Sequence, residues 1–189
     1  KHDFYESSEQ ELIDFVIELN QQTLFDDLYS DPGREELHRL FRYTKEEAEL
    51  KKDGLWAKCM DFPGKLMKSI FTHHERWETK ARQNVLGNYY KSSFKGTASI
   101  CWINGEFENT QDWLNAGRMM ARTWLLFTED MAYIHPFGNI ITNPKAYRKF
   151  NEKIKGGEEN KKLWMVFRAG YSKEPARSYR LSTNEIIIS

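Results

Sequence analysis

The first clear hydrophobic periodicity runs from Leu12 to about Gln22, where apolar residues recur every three to four positions. Ser8 and Glu11 precede it at capping-box spacing, in which the Ser oxygen accepts from the amide of the Glu and the Glu side chain reaches back. We therefore predict a helix that begins at this box and buries one face. The residues around Phe4 have the pattern of the tail of a strand.

A longer apolar pattern extends from Gln111 to about Asp130, with Asn109 or Thr110 as its capping residue. Because one core covers only one face of a helix, we expect this helix to be central in the fold or shared with a partner subunit. Its apolar residues cover much more than one stripe: Trp113, Leu114, Ala116, Met120, Ala121, Trp124, Leu125 and Phe127.

Two apolar runs have the length of strands. Thr97 to Ile103 is followed by Asn104-Gly105, a strong turn signal, and Leu163 to Phe167 is continuously apolar, as in a strand covered on both faces. Between these runs, Asn143-Pro144 predicts the start of a short helix and Gly156-Gly157 its end.

The region between the two long helices carries turn signals and short amphipathic segments. A turn at Asp31-Pro32-Gly33 precedes a short helix from Glu35 to Phe41, and another helix follows from Lys45 to Lys51. Residues 53–96 read as irregular apart from a helix through Leu66 to Phe71. Since long insertions between regular elements are often functional lids, we predict a lid at 53–96.

Composition narrows the class of protein. The 189 residues suffice for one sizeable core, so a single domain is expected. Lys and Arg number 28, as do Asp and Glu, so the positive field that concentrates nucleic acid or anionic membranes is lacking. The most apolar stretch, Met119 to Phe127, is far shorter than the roughly 20 residues of a membrane span. We expect no nucleic-acid or membrane partner, and the cytoplasm is favoured without the compartment being fixed.

The start of the chain has neither a Met nor an apolar signal core, so we expect an internal segment of a longer polypeptide. Cys59 and Cys101 lack CxxC spacing, and we expect reduced thiols rather than a disulfide framework or a zinc site.

Common catalytic patterns are sparse. His73, His74, Glu75 and Glu78 offer ligands at helical spacing, but no third convergent ligand can be named, and a solvated charged helix is the favoured interpretation. A hydrolase elbow, a GxGxxG fingerprint and a phosphate loop are all missing from the sequence. Nucleophilic hydrolysis and classical dinucleotide binding are therefore disfavoured.

Several segments in a fixed order carry a more specific signal: 117–125 (GRMMARTWL), 135–138 (HPFG), 167–171 (FRAGY), 175–180 (PARSYR) and 185–187 (EII). From roughly Phe15 to the end, the chain resembles the C-terminal portion of the FMN-dependent nitroreductase family, and it is most similar to the branch with two fused nitroreductase repeats. The resemblance implies one α+β domain over 1–189, with a mainly antiparallel sheet around the long central helix. The Arg-x-Ser-x-Arg-like phosphate clamp of the family does not occur before Phe4, so we expect this sequence to correspond to the family fold without its N-terminal part.

The resemblance also implies a flavin site. The FMN phosphate would be bound by Arg180 as the first candidate and Arg177 as the second, because a guanidinium offers a rigid bidentate fork. The loop Ile134 to Asn139 would lie along the isoalloxazine, through His135, Pro136, Phe137 and Gly138. The plainer alternatives are solvated arginines near a chain end and an ordinary turn after a helix.

The implied activity is reduction of a nitroaromatic or quinone-like small molecule by FMN with electrons from NAD(P)H. In this class the cofactor carries the redox chemistry, so no catalytic side chain is named. A homodimer or a fused second repeat is expected, because sites of this type form where two such domains meet. The aromatic lid residues Trp77, Tyr89 and Tyr90 either stack on ligand or pack in the core. The rival functions are a non-catalytic flavin-binding or flavin-storage protein and a structural half-domain.

Overall fold

The computed structural model describes residues 2–154 and 161–187. They form six strands: β1 (His2–Ser7), β2 (Phe41–Arg42), β3 (Leu55–Trp56), β4 (Ile100–Gly105), β5 (Tyr133–Pro136) and β6 (Lys162–Gly170). The α-helices are α1 (Gln10–Tyr29), α2 (Asp31–Leu40), α3 (Lys45–Lys51), α4 (Gly64–Thr72), α5 (Lys80–Ser92), α6 (Thr110–Glu129), α7 (Gly138–Thr142), α8 (Pro144–Lys153) and α9 (Thr183–Ile186). Short 3-10 helices cover Ala57–Met60 and His74–Arg76.

The chain divides into two compact units. The first unit comprises Lys1–Leu24 and Gly87–Ser172, and the second comprises Phe25–Leu86 and Lys173–Ser189. Among the described residues, no helix has the length and apolar character needed to cross a bilayer.

The first unit is built on a four-stranded antiparallel sheet in the order β1-β4-β6-β5. Its strands confirm the predictions at Phe4, in Thr97–Ile103 and in Leu163–Phe167, and together with the flanking helices they confirm the α+β class. The five residues Leu163–Phe167 are all buried. This burial is what a continuous apolar run predicts for a strand covered on both faces.

The predicted turn at Asn104-Gly105 is wrong, because both residues lie inside β4. The register shifts between Ile103, which pairs with Met165, and Asn104, which pairs with Leu163, so that Trp164 is the extra residue of a bulge. A Cβ added at Gly105 would overlap the indole of Trp164. This glycine is therefore explained by close packing under a large ring and not by a turn.

Two apolar clusters cover the two faces of this sheet. One cluster includes Val16 of α1, Ile140 of α7 and Phe150 of α8 against Ile100 and Val166 of the sheet. The other places Ala116 of α6 against Cys101, Ile103, Trp164, Met165 and Phe167. The sheet is thus a layer between α6 on one side and α1, α7 and α8 on the other.

The helix ends that the structure describes follow local signals, except at the start of α1. Asn109 caps α6 in a capping box with Asp112, and Asn143 caps α8, as predicted. At the start of α1, however, the Glu9 amide donates to Ser7 Oγ at 3.3 Å and Glu11 pairs with Lys153, so Glu11 does not reach back to Ser8. The predicted stop of α8 at Gly156-Gly157 lies outside the described residues.

The long helix α6 is not enclosed by its own chain. Among its residues, all described, only Ala116 is buried, while Met119, Met120 and Phe127 pack partly against the sheet. Trp113, Leu114, Trp124, Leu125 and Leu126 are exposed. The expectation of a central helix therefore fails within one chain, and the alternative, a helix shared with a partner, stays a prediction.

The second unit packs α2 and α4 around Phe41, Tyr43, Ala57, Met67 and Phe71, and α3 contacts a two-stranded parallel sheet of β2 and β3. Helix α3 confirms the prediction from Lys45 to Lys51. The Asp31-Pro32-Gly33 sequence does not precede a helix as a turn; it is the first turn of α2, because Ser30 Oγ caps Gly33 N at 3.3 Å.

Residues 53–96 are more regular than predicted. The helix expected through Leu66 to Phe71 lies within α4, but β3 and α5 were not foreseen. The sequence of α5 has a weak apolar stripe and an internal Gly87, which conceal its helical character. A lid function for this segment stays a prediction.

Candidate functional site

The predicted flavin loop is mostly regular structure. Ile134, His135 and Pro136 belong to β5, at the edge of the sheet, and Gly138 opens α7. An edge strand tolerates Pro136 because the missing amide leaves no gap inside the sheet. Phe137 between them is fully buried, and its amide donates to the Val166 carbonyl at 2.8 Å. The segment from Ile134 to Gly138 is therefore a fixed part of the first unit and not a free loop, and we call it the corner.

The rings of His135 and Phe137 in this corner stack with the ring of Phe94. The imidazole of His135 stacks on Phe94 with centroids 5.3 Å apart and on Phe137 at 5.6 Å. Phe94 and Phe137 are themselves stacked at 5.7 Å. Tyr90 packs on Phe94 at 4.9 Å and accepts a hydrogen bond from Asn20, which makes it a packing residue of the first unit.

Arg168, which follows the buried run of β6, lies across the same rings. Its guanidinium carbon lies 4.5 Å from the ring centroid of Phe94. Nη1 donates to Thr97 Oγ1 at 2.7 Å and Nη2 to the Ser93 carbonyl at 3.0 Å. Nε lies 3.2 Å from Nδ1 of His135. In the described part of the chain no carboxylate forms an ion pair with this arginine.

The electrostatics of the corner follow from this half-buried cation. Burial of the ring between Phe94 and Phe137, and secondly the charge of Arg168, lower the pKa of His135 to about 4, although the residue as a whole is exposed to solvent. Burial also lowers the pKa of Arg168 from its usual value. Burial raises the pKa of Tyr90 to about 12. At neutral pH the corner therefore contains a neutral imidazole, a neutral phenol and one positive charge.

The two predicted phosphate-binding arginines belong to the second unit and differ in their partners. Arg180 donates from Nη1 to the Gly54 carbonyl at 3.0 Å and to the Tyr179 carbonyl at 2.7 Å. Arg177 forms an ion pair with Glu174 at 2.7 Å. No described carboxylate pairs with Arg180, so its charge is the less neutralised of the two. The structure thus carries Arg177 and Arg180 in one unit and His135 to Gly138 in the other.

The C-terminal segment around Arg180 is held by specific contacts within the second unit. The ring of Tyr179 lies 5.7 Å from that of Trp56, and Lys52 pairs with Glu185 at 2.6 Å. Ser178 Oγ donates to the free thiol of Cys59 at 3.4 Å. These contacts fix the backbone from which Arg180 extends.

A groove in the first unit lies between β1 and α6. Its volume is about 770 Å³. It is lined by His2, Phe4, Ile103, Asn115, Arg118, Met119, Arg122, Thr123, Leu125 and Leu126. The lining combines apolar side chains with two arginines one helical turn apart and includes no acidic residue.

The sequence identified part of this arrangement. His135 and Phe137 were predicted as site residues, but Arg168 appeared only within the FRAGY segment and Phe94 was not named. The signal that was available is an arginine directly after a continuous apolar run, since a charge at such a position needs polar partners nearby. Trp77, one of the predicted lid aromatics, donates to Ser69 Oγ at 3.3 Å in the second unit.

The antiparallel sheet between α6 and three other helices defines an α+β fold of the nitroreductase type. The whole chain superposes on 78% of a mutant of the FMN and NADPH-dependent nitroreductase NfnB from Sphigopyxis sp. strain HMH, with a TM-score of 0.51 and 11% identity. At this identity the likeness establishes the fold alone.

Two further crystal structures match with a TM-score of 0.48 each. One is a nitroreductase with bound FMN from Bacteroides fragilis, 12% identical, of which 75% is covered by the whole chain. The other is the FMN-dependent nitroreductase NfnB from Mycobacterium smegmatis in complex with NADPH, 16% identical and 78% covered by the whole chain. No family model and no curated protein matches the sequence.

Proposed function

We propose that this protein binds FMN and uses electrons from NAD(P)H to reduce a nitroaromatic or quinone-like small molecule. The observation that carries the proposal is the fold: the whole of this chain superposes on 78% of an FMN and NADPH-dependent nitroreductase. The segments GRMMARTWL, HPFG, FRAGY, PARSYR and EII, which follow one another in this order along the sequence, resemble the same class. When bound, FMN supplies the transfer of electrons between the nicotinamide and the acceptor.

The residues of the second unit fit the phosphate end of FMN. Arg180 uses only Nη1 for the two carbonyl oxygens it contacts, which leaves Nε and Nη2 for a phosphate. Arg177 is the weaker candidate, because Glu174 already neutralises its charge. We therefore assign Arg180 the phosphate and Arg177 a secondary place.

Within the first unit, the corner at His135 to Gly138 is suited to contact with a planar ligand. The stacked rings of Phe94 and Phe137 hold His135 and the backbone of β5 in one position. A fixed backbone of this kind places hydrogen-bonding groups against a planar ligand without an ordering cost at binding. The role of these residues is orientation of the flavin.

FMN binding and turnover are measured separately. We expect quenching of FMN fluorescence on titration with the purified chain, and oxidation of NADPH when nitrofurazone is added. Arg180→Gln should weaken FMN binding by roughly 10- to 100-fold, the equivalent of a charge-assisted hydrogen bond. Arg177→Gln tests the secondary place of Arg177 and should change affinity by less than about 3-fold, while Arg180→Lys should recover part of the loss.

The outcomes separate the functions. FMN binding with turnover supports the oxidoreductase, and tight FMN binding without turnover of either nicotinamide indicates a flavin-storage protein. A chain that binds no FMN contradicts the proposal and indicates a structural half-domain. Equal losses in Arg180→Gln and Arg177→Gln would remove Arg180 as the specific phosphate ligand.

We also propose that α6 packs against a second copy of the chain or a fused repeat. Leu125 is 70% exposed and Leu126 is 62% exposed, beside the groove between α6 and β1. Sedimentation equilibrium should show a dimer that Leu125→Glu dissociates. Leu50→Glu is the matched control, because Leu50 of α3 is also exposed, at 84%. A monomeric wild-type chain at micromolar concentration would contradict a homodimer.

A further inference from the structure

Arg168 and His135 form a hydrogen-bonded pair across neighbouring strands. His135 of β5 stands opposite Arg168 of β6 in the antiparallel register. Nδ1 of the imidazole lies 3.2 Å from Nε and 3.1 Å from Nη2 of the guanidinium. Both guanidinium nitrogens are donors, and arginine has no acceptor. Nδ1 must therefore be the acceptor, and it carries no proton.

The arginine is itself held in place by other groups. Thr97 Oγ1 and the Ser93 carbonyl accept from Nη1 and Nη2, and the ring of Phe94 lies under the guanidinium. All three partners are neutral. With Nδ1 occupied by a donor, the neutral imidazole carries its proton on Nε2.

We propose that Arg168 is a positioning residue that fixes His135 as its neutral Nε2–H tautomer, so that Nε2–H donates a hydrogen bond to an electron-rich nitrogen or oxygen of a bound flavin. The ligand in this statement rests on the proposed function; the tautomer does not. The neutral Nε2–H of His135 would stay protonated whether the flavin is oxidised or reduced. The adjacent positive charge of Arg168 would favour added negative charge on the flavin.

The charged and titratable groups around His135 agree with this assignment. Arg168 on β6 faces it directly, and Tyr90 on α5 packs on the same Phe94 ring. Burial raises the pKa of Tyr90 to about 12, so the phenol stays neutral near pH 7. Protonation of His135 would direct an Nδ1–H at the guanidinium of Arg168, which is unfavourable. This repulsion acts in the same direction as burial, which lowers the pKa of His135 to about 4.

The tautomer is tested by nitrogen NMR of the full chain labelled with 15N-histidine. His135→Gln identifies the resonances of His135 among those of the five histidines. We expect Nε2 protonated and Nδ1 unprotonated from pH 8 down to pH 5. A mixture of tautomers, a protonated Nδ1 or a midpoint near 6.5 in the wild-type protein would overturn the proposal without any variant.

Arg168→Gln is the direct perturbation. It should raise the midpoint of His135 toward 6.5 and allow both tautomers, whereas Arg168→Lys, which keeps a cationic donor, should preserve the neutral Nε2–H form at pH 7. Unchanged His135 spectra in folded Arg168→Gln would show that the packing of the rings alone sets the tautomer, and would overturn the role of Arg168.

The flavin enters in a last titration. On addition of FMN, the Nε2–H resonance of wild-type His135 should shift, and the shift should be lost or altered in Arg168→Gln. FMN that binds without moving this resonance would overturn the donor role. Absence of FMN binding would overturn the proposed function and, with it, FMN as the acceptor of the His135 hydrogen bond. The tautomer of His135 is tested independently, by the spectra of the protein without FMN.

Discussion

Replacement of Gly105 by Ala tests the packing of the sheet against the face that carries α6. An added Cβ would overlap Cζ2 of Trp164 and lie 2.5 Å from Cε2 and Cη2 of the same ring. Ordinary contact between carbon atoms begins near roughly 3.5 Å. The indole is 9% exposed and packs within the cluster that contains Ile103 and Met165, so it has no room to shift without disturbing that cluster.

The size of the effect is bounded by two responses. If the strand yields, overpacking costs about 1–3 kcal/mol. If the indole of Trp164 swings into solvent, the loss of about 200 Å² of buried surface costs about 5 kcal/mol. Exposure of the indole costs less than this, because Nε1 of Trp164 has no hydrogen-bond partner among the described residues. A hydrogen bond from Nε1 to water would offset about 1–3 kcal/mol of the cost. Because the less costly response prevails, we expect a destabilisation of about 1–3 kcal/mol for Gly105→Ala.

Urea denaturation followed by circular dichroism measures this difference, and tryptophan emission reports whether the indole moves. Gly170→Ala is the control, because an added Cβ at Gly170 of β6 meets no described atom within 4 Å. It should change the free energy of unfolding by less than about 0.5 kcal/mol. If Gly105→Ala matches the control within that margin, the bulge does not place Trp164 over Gly105 and the explanation of this glycine is wrong.

Three further predictions concern other parts of the first unit. Gly117→Ala, in the exposed interior of α6 where an added Cβ meets no described atom within 4 Å, should stabilise the isolated chain by about 0.5–1 kcal/mol in urea denaturation; a loss would show a covered face. Asn109→Ala should cost about 1 kcal/mol, because two amides of α6 lose their cap; an unchanged midpoint would contradict the cap. For His135 the folded pKa of about 4 lies below the usual 6.5, so the unfolded chain takes up the proton first as the pH falls. Stability should therefore decline between about pH 6.5 and pH 4 in the wild-type protein and less in His135→Gln, measured as the melting temperature at each pH.

Elements set by neighbouring residues could be predicted from the sequence. The cap at Asn109, the start of α8 at Asn143 and the helix from Lys45 to Lys51 depend on side chains within four residues of one another. The burial of Leu163–Phe167 followed from an apolar run with no polar interruption. In each case the deciding interaction is local, and the sequence shows both partners.

Elements set by distant residues could not be predicted. Asn104-Gly105 is a turn signal in local terms, but the strand continues because β1 and β6 pair with it on both sides and the ring of Trp164 needs the space above Gly105. The start of α1 changed for a similar reason, since Lys153 attracts the carboxylate of Glu11 that a capping box would use. These partners are separated from the local signal by 57 residues or more in the chain.

The corner around His135 shows the same limit for function. The resemblance marked His135 and its neighbours, but the chemistry of the imidazole is decided by Arg168, 33 residues later, and by Phe94, 41 residues earlier. Neither residue has a distinctive local pattern. Only the pairing of β5 with β6 shows that this histidine faces a donor and is held neutral.

The exposed face of α6 raises a different question, because its sequence allows two structures. A helix with apolar residues on more than one stripe either lies inside its own domain or faces another molecule. Packing against the sheet leaves Leu125 and Leu126 outside, which excludes the first arrangement for one chain. Arg118 and Arg122 line the same groove, with no acidic residue in the lining. A solvated helix face usually carries charges of both signs, whereas arginine beside large apolar residues is typical of protein interfaces. The composition of this face therefore favours a partner protein over water as its neighbour.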